Sequence, residues 1–186
     1  MQRKSLTRVF TMIGLRKAPE LETLKQMADR YPKLDARSLH FALCALVISS
    51  DIEAALDRHF AHYGLSHGRF VVLVNLYSAP NHELLPSAIA DLVRVSRATM
   101  TTLLTGLERA GLIQRHSRPS TDRRTSPVRL TSKGRALLER VLPDHYARLT
   151  KMVNHLTRAE QRTLLQLMEK LHQGLSELHG TNKETL

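Results

Sequence analysis

Residues 95–131 read VSRATMTTLLTGLERAGLIQRHSRPSTDRRTSPVRLT, and the fold turns on this stretch. Ser96 stands just ahead of a helical run, where its hydroxyl can accept from an amide that the first turn leaves unpaired. Met100, Leu103, Leu104 and Leu107 recur at i, i+3, i+4 and i+7 and form one apolar face. The opposite face carries Ala98, Thr101, Thr102, Thr105 and Arg109. Gly111 stops the helix after Ala110. Leu112-Ile113-Gln114-Arg115 alternates like a strand. A polar tip runs from Ser117 to Ser126 with Pro119 inside it, and Val128 to Leu130 forms a second short strand.

Upstream, Pro86 opens a short helix bearing Ile89, Ala90, Leu92 and Val93. Its missing N–H is no loss in a first turn. A helix, a three-residue turn, a capped helix and two short strands around a basic tip make a winged helix-turn-helix. In that plan the first helix positions, the second enters the major groove and the tip reaches sideways. Hydroxyls of Thr101, Thr102 and Thr105 suit base edges or phosphates, and the methyls of Ala98 and the threonines suit thymine. Arg97 lies in the first turn and Arg94 just before it, beside a helix N-terminus with partial positive charge. Arg118, Arg123 and Arg124 sit on a tip that has no apolar reason to exist. Guanidiniums suit the focused potential of a narrow minor groove, and Asp122 can orient one of them. The plain alternative for residues 96–110 is an amphipathic helix with a solvated polar side. The basic hairpin favours duplex DNA. The DNA-binding set is therefore Arg94, Ser96, Arg97, Ala98, Thr101, Thr102, Thr105, Arg118, Arg123 and Arg124.

The rest of the chain is helical, so the fold class is mainly α. Residues 1–18 show no clean period and are expected to be mobile. Pro19 to Arg30 suits a short helix with Leu21, Leu24 and Ala28 on one side, ended by Tyr31-Pro32. Residues 1–37 thus form an N-terminal extension. Ser38 to Tyr63 reads as a long helix with a broad apolar face, stopped by Gly64. Ser66 caps a helix through Tyr77, and the run from Ser78 to His82 breaks it. Thr131 caps a helix from Ser132 that Pro143 is expected to kink. Thr157 and Glu160 have capping-box spacing ahead of Leu164, Leu165, Leu167, Met168, Leu171 and Leu175. The tail, 180–186, is expected to be disordered.

The 186 residues carry a formal charge of +11, with 42% apolar and only 4% aromatic residues and no Trp, so the core should be aliphatic. A basic balance favours a polyanionic partner, since neutralised phosphates release counterions. Its placement says more. From Arg94 to Arg135 there are ten Lys or Arg against Glu108 and Asp122. No uninterrupted apolar run, Phe41 to Ile48 being the longest, is long enough to span a bilayer, and Met1 to Lys17 lacks the pattern of a signal peptide. Cys44 is the single cysteine, which excludes an internal disulfide and suits a reducing, cytoplasmic setting. No glycine-rich phosphate loop, nucleophile elbow, Cys-x-x-Cys or His-Glu-x-x-His occurs, so neither an enzyme nor a bound cofactor is expected.

The run from Asp122 to Thr131, followed by Lys133-Gly134, resembles the wing signature of the MarR family of regulators. Leu107 to Arg115 is similar to the recognition-helix end and first wing strand of that family, and Val95 to Thr99 to its recognition-helix start. The resemblance covers roughly residues 38–178. It implies a two-fold homodimer built from the first and last helices, here 38–64 and 132–179, around a winged-helix domain at 65–131. It also implies a repressor acting at a pseudo-palindromic operator, with minor-groove contacts from Arg123 and Arg124.

Such regulators respond to a small-molecule effector or to oxidation. Leu39-His40-Phe41-Ala42-Leu43 resembles the organic-peroxide-sensing subgroup, in which a reactive cysteine occupies the place of His40. Cys44 lies one helical turn on, a relocated sensor beside an imidazole or a small buried apolar residue. His59, His62 and His67 have spacing that invites a metal, although ten histidines make chance neighbours common. A metal-responsive regulator of the same fold and a non-specific basic nucleic-acid coat are the alternatives.

Overall fold

The computed structural model describes residues 17–115 and 126–179. The elements are α1 (Leu21–Ala28), α2 (Ala36–Ala61), α3 (His67–Ser78), a 3-10 turn at Pro80–His82, β1 (Glu83–Leu84), α4 (Pro86–Val93), α5 (Arg97–Arg109), β2 (Ile113–Arg115), β3 (Val128–Leu130), α6 (Ser132–Val153), α7 (Arg158–Gln173) and α8 (Ser176–His179). The chain divides into two units at Thr131 and Ser132.

Local chemistry starts most of the helices of the first unit. Asp35 accepts from the amides of Arg37 and Ser38 at 3.0 and 3.3 Å. Helix α2 therefore begins at Ala36, ahead of the expected Ser38. The Ser38 hydroxyl, then the two amides, hold the Asp35 carboxyl below its ordinary range. A lowered carboxyl pKa keeps this cap in force above the ordinary carboxylate range and weakens it as pH falls through the lowered value. Ser66 Oγ accepts from Arg69 N at 3.3 Å to start α3. Helix α1 packs on α2 and buries Leu24 completely.

The core of this unit is assembled on α3, which touches α2, α4, α5 and β3. It buries Phe70, Val72, Leu73 and Leu76 against Ile89 and Ala90 of α4, and Met100, Leu104 and Leu107 of α5. Each such side chain contributes about 1.5–3 kcal/mol of burial. The expectation of an aliphatic core meets one exception. Phe60, at the end of α2, stacks on Phe70 of α3 with centroids 4.0 Å apart, and neither ring is exposed. Two of only four phenylalanines thus clamp α2 to α3.

The wing sheet has three strands, in the order β1-β3-β2, where the sequence suggested two. The added strand pairs Glu83 with Arg129 and Leu84 with Val128. On the other side of β3, Ile113, Gln114 and Arg115 face Leu130, Arg129 and Val128. Two residues cannot display a period of two, so β1 carries no pattern of its own.

The second unit contains α6, α7 and α8. Helix α6 runs through Pro143 without a break and buries Gly134, Leu138, Val141 and His145 at 4-3-4 spacing, one stripe of a helix. The capping box of α7 is complete: Thr157 N donates to Glu160 Oε2 at 2.7 Å and Glu160 N to Thr157 Oγ1 at 3.3 Å. The Thr157 amide, then the Thr157 hydroxyl at 2.8 Å, donates to the Glu160 carboxylate and lowers its pKa. Among the described residues, no side chain of α7 is fully buried, and Gln161 is half-buried.

By length and composition α2 is apolar enough to cross a membrane, with an 18-residue window of mean hydropathy 1.6. The uninterrupted run from Phe41 to Ile48 is bounded by His40 and by Ser49-Ser50-Asp51, so this value belongs to a window average and not to a continuous apolar run.

Candidate nucleic-acid interface

Helix α5 is held from three sides, by α3, α4 and β2. Both of its ends are specified by sequence. Ser96 Oγ accepts from Thr99 N at 3.1 Å and pairs with Thr99 Oγ1 at 2.8 Å. At the other end Gly111 takes φ +69°, its N–H meets Glu108 O, and Leu112 N meets Leu107 O. This is the Schellman closure, in which a left-handed residue lets the chain double back.

Helix α4 closes with the same pair of bonds, Arg94 N to Asp91 O and Val95 N to Ala90 O. Here the left-handed position holds Arg94, at φ 55° and ψ 44°. A side chain in that region costs about 1–2 kcal/mol that glycine avoids. Strain of this kind persists where the side chain has work to do. Arg94 is exposed in the turn that leads into α5. Arg94→Gly is expected to raise Tm by roughly 2–4 °C while removing a cation from the turn. Arg94→Ala keeps the strain. Thermal melts at one protomer concentration check this, and equal Tm values for the two variants would discard the strain argument.

Seven residues of the expected set fall within the described residues. Arg94, Ser96, Arg97, Ala98, Thr101 and Thr102 are exposed, and Thr105 is half-buried. The inner face is as expected, with Met100, Leu104 and Leu107 buried and Leu103 half-buried. The threonines are pre-committed in a way the sequence does not reveal. Thr101 Oγ1 donates to Arg97 O at 2.9 Å, and Thr102 Oγ1 donates to Ala98 O at 3.2 Å. Each hydroxyl hydrogen is thereby occupied, leaving an acceptor oxygen and a methyl facing outward. Such a surface suits an exocyclic amino group or a thymine methyl better than a phosphate.

Arg115, one of the ten cations counted between Arg94 and Arg135, is not free. Its Nε lies 3.3 Å from Glu108 Oε2, and its side chain is only 16% exposed. It ties the first wing strand to the end of α5. Arg129 points outward from the middle strand, between Glu83 and Gln114. Arg118, Asp122, Arg123 and Arg124 lie outside the described residues.

His40 and Cys44 are brought together on α2. The Pro19 carbonyl can only accept, so His40 Nδ1 donates to it at 2.9 Å. The other ring nitrogen, Nε2, lies 3.6 Å from Cys44 Sγ. The three other histidines go separate ways. His59 is buried edge-on to Tyr63, His67 stacks on Phe60, and His62 Nδ1 donates to Arg58 O at 2.7 Å. Among the described residues no group of three His, Cys, Asp or Glu side chains converges as metal ligands.

A helix pair with a capped second member and an adjoining three-stranded wing defines the winged helix-turn-helix class of DNA-binding regulators. A family model described as "MarR family" matches residues 65–126. The chain is 32% identical over 162 residues to the HTH-type transcriptional repressor YetL of Bacillus subtilis (strain 168), spanning 87% of this chain and 96% of that one. It is 26% identical to the transcriptional repressor MprA of Escherichia coli (strain K12), over 86% and 90% of the two chains. Among solved structures, Sco3205, a MarR family transcriptional regulator from Streptomyces coelicolor in complex with DNA, superimposes with a TM-score of 0.68 at 26% identity, covering 76% of this chain and 89% of that one. The chain belongs to the MarR family of transcriptional regulators.

Proposed function

We propose that this protein is a cytoplasmic, homodimeric repressor that binds a pseudo-palindromic operator and releases it in response to a small ligand or to oxidation. The carrying observation is the outward face of α5, with Ala98, Thr101 and Thr102 exposed beside Arg94 and Arg97. Charge alone would serve a non-specific coat. Oriented hydroxyl acceptors and methyls serve base reading. The wing arginines Arg123 and Arg124 are assigned to the minor groove on the strength of the family signature.

The dimer is supported by apolar surface that one chain leaves uncovered. Phe41, Leu46 and Ile48 on α2 are 60–66% exposed, and Leu164, Leu165, Leu167, Met168 and Leu171 line α7. A second copy covering these residues accounts for the apolar character of α2 without a bilayer. Two protomers then present their α5 helices about 34 Å apart, one turn of DNA.

Enrichment of duplexes from a random pool, followed by footprinting, tests the reading. Two half-sites in inverted orientation are expected. Thr101→Ala should change base preference more than overall affinity, and Arg124→Ala should weaken binding and flatten its salt dependence. A single half-site, or preferences untouched by Thr101→Ala, would overturn it. Release by peroxide and by aromatic acids, each measured on wild type and on Cys44→Ala, separates the two kinds of signal.

A further inference from the structure

We propose that Arg69 is a DNA-backbone contact, admitted to the edge of the groove-facing side of α5 by the missing side chain of Gly106. This rests on the DNA-binding reading above and adds a residue from a different helix to it.

Arg69 lies in the first turn of α3. That turn abuts α5: a Cβ on Gly68 would rest 3.4 Å from Leu103 Cδ2. At Gly106 a Cβ would overlap Nη2 of Arg69 and lie 2.9 Å from its Cζ and 3.1 Å from its Nε. The guanidinium therefore lies against the bare Cα of Gly106. Gly106 follows Thr102 by four residues and precedes Arg109 by three, so it borders the exposed strip on which both stand. Glycine weakens a helix interior relative to alanine, and one inside α5, three residues before its last, calls for a packing reason. The Arg69 head group is that reason.

The charge of Arg69 remains available. No ion pair joins it to a carboxylate among the described residues, whereas Arg115 nearby in sequence to the same helix end is paired with Glu108. A half-buried guanidinium with its orientation fixed by packing presents a planar fork of donors, which matches the two free oxygens of a phosphodiester. Such a contact sets register on the duplex and carries no base information.

The test uses the duplex that the wild-type dimer enriches from a random pool, with affinity measured across a salt series and Tm measured alongside. Arg69→Gln is expected to weaken binding roughly tenfold and to reduce the slope of log affinity against log salt by about 2 per dimer, one phosphate per protomer. Base preference should not change. Gly106→Ala should shift affinity and slope the same way, by displacing the head group, with Tm unchanged or higher. Arg69→Lys should restore most of the slope. An Arg69→Gln protein with wild-type slope overturns the proposal, whether its affinity is intact or falls only with Tm, because the guanidinium would then be packing alone. A wild-type protein that enriches no duplex defeats the DNA-binding reading itself, and this contact with it.

Discussion

Replacing Met168 and Leu171 together by glutamate is expected to leave a folded chain that no longer dimerises and binds its operator roughly a hundredfold or more weakly. Both side chains stand on one face of α7, 55% and 46% exposed in the single chain. Polar replacements there cost the protomer little. In the proposed dimer they would be covered, and an unpaired carboxylate is costly to bury. Losing the second protomer removes the linked half-site contact, which accounts for the size of the effect. Sedimentation of the variant, with circular dichroism to show retained helix and a titration of the enriched duplex, reads all three quantities. A variant that stays dimeric with native affinity would remove α7 from the interface.

Leu104→Ala should produce the largest loss of stability available within α5. Leu104 is 1% exposed and lies one turn after Met100 and three residues before Leu107, on the face that seats the helix. Deleting its three terminal carbons leaves a cavity that the surrounding structure fills only in part. The cost is about 2–5 kcal/mol, against a typical total of about 5–15 kcal/mol. A fall in Tm of roughly 10 °C is expected, measured at one protomer concentration because association itself adds stability. Thr101→Ala, three residues away on the exposed side, should change Tm by little. If the two variants melt alike, the inward and outward faces of α5 have been misassigned.

Much of this architecture was legible along the chain. The cap at Ser96, the leucine spacing to Leu107 and the stop at Gly111 delimit α5 through interactions that span only a few residues. The capping box at Thr157 and Glu160 is equally local. The third wing strand was not legible, since Glu83-Leu84 is defined by its pairing with β3 and by nothing in its own pattern. The start of α2 was placed late because Asp35, not Ser38, accepts the first-turn amides. Arg69 carries no signal of its own for the same kind of reason: its relation to Gly106 joins residues 37 positions apart.

The amino-acid sequence by itself determined the helical order, the caps at Ser66, Ser96 and Thr157, the two faces of α5 and the family, because each depends on short-range periodicity or on a contiguous signature. Tertiary structure alone decided which polar groups are still available to a ligand. Burial and pairing across elements tie Arg115 to Glu108, set Arg69 against Gly106, close His40 onto Pro19 and stack Phe60 on Phe70. Those outcomes depend on distances between helices, which a one-dimensional pattern does not encode.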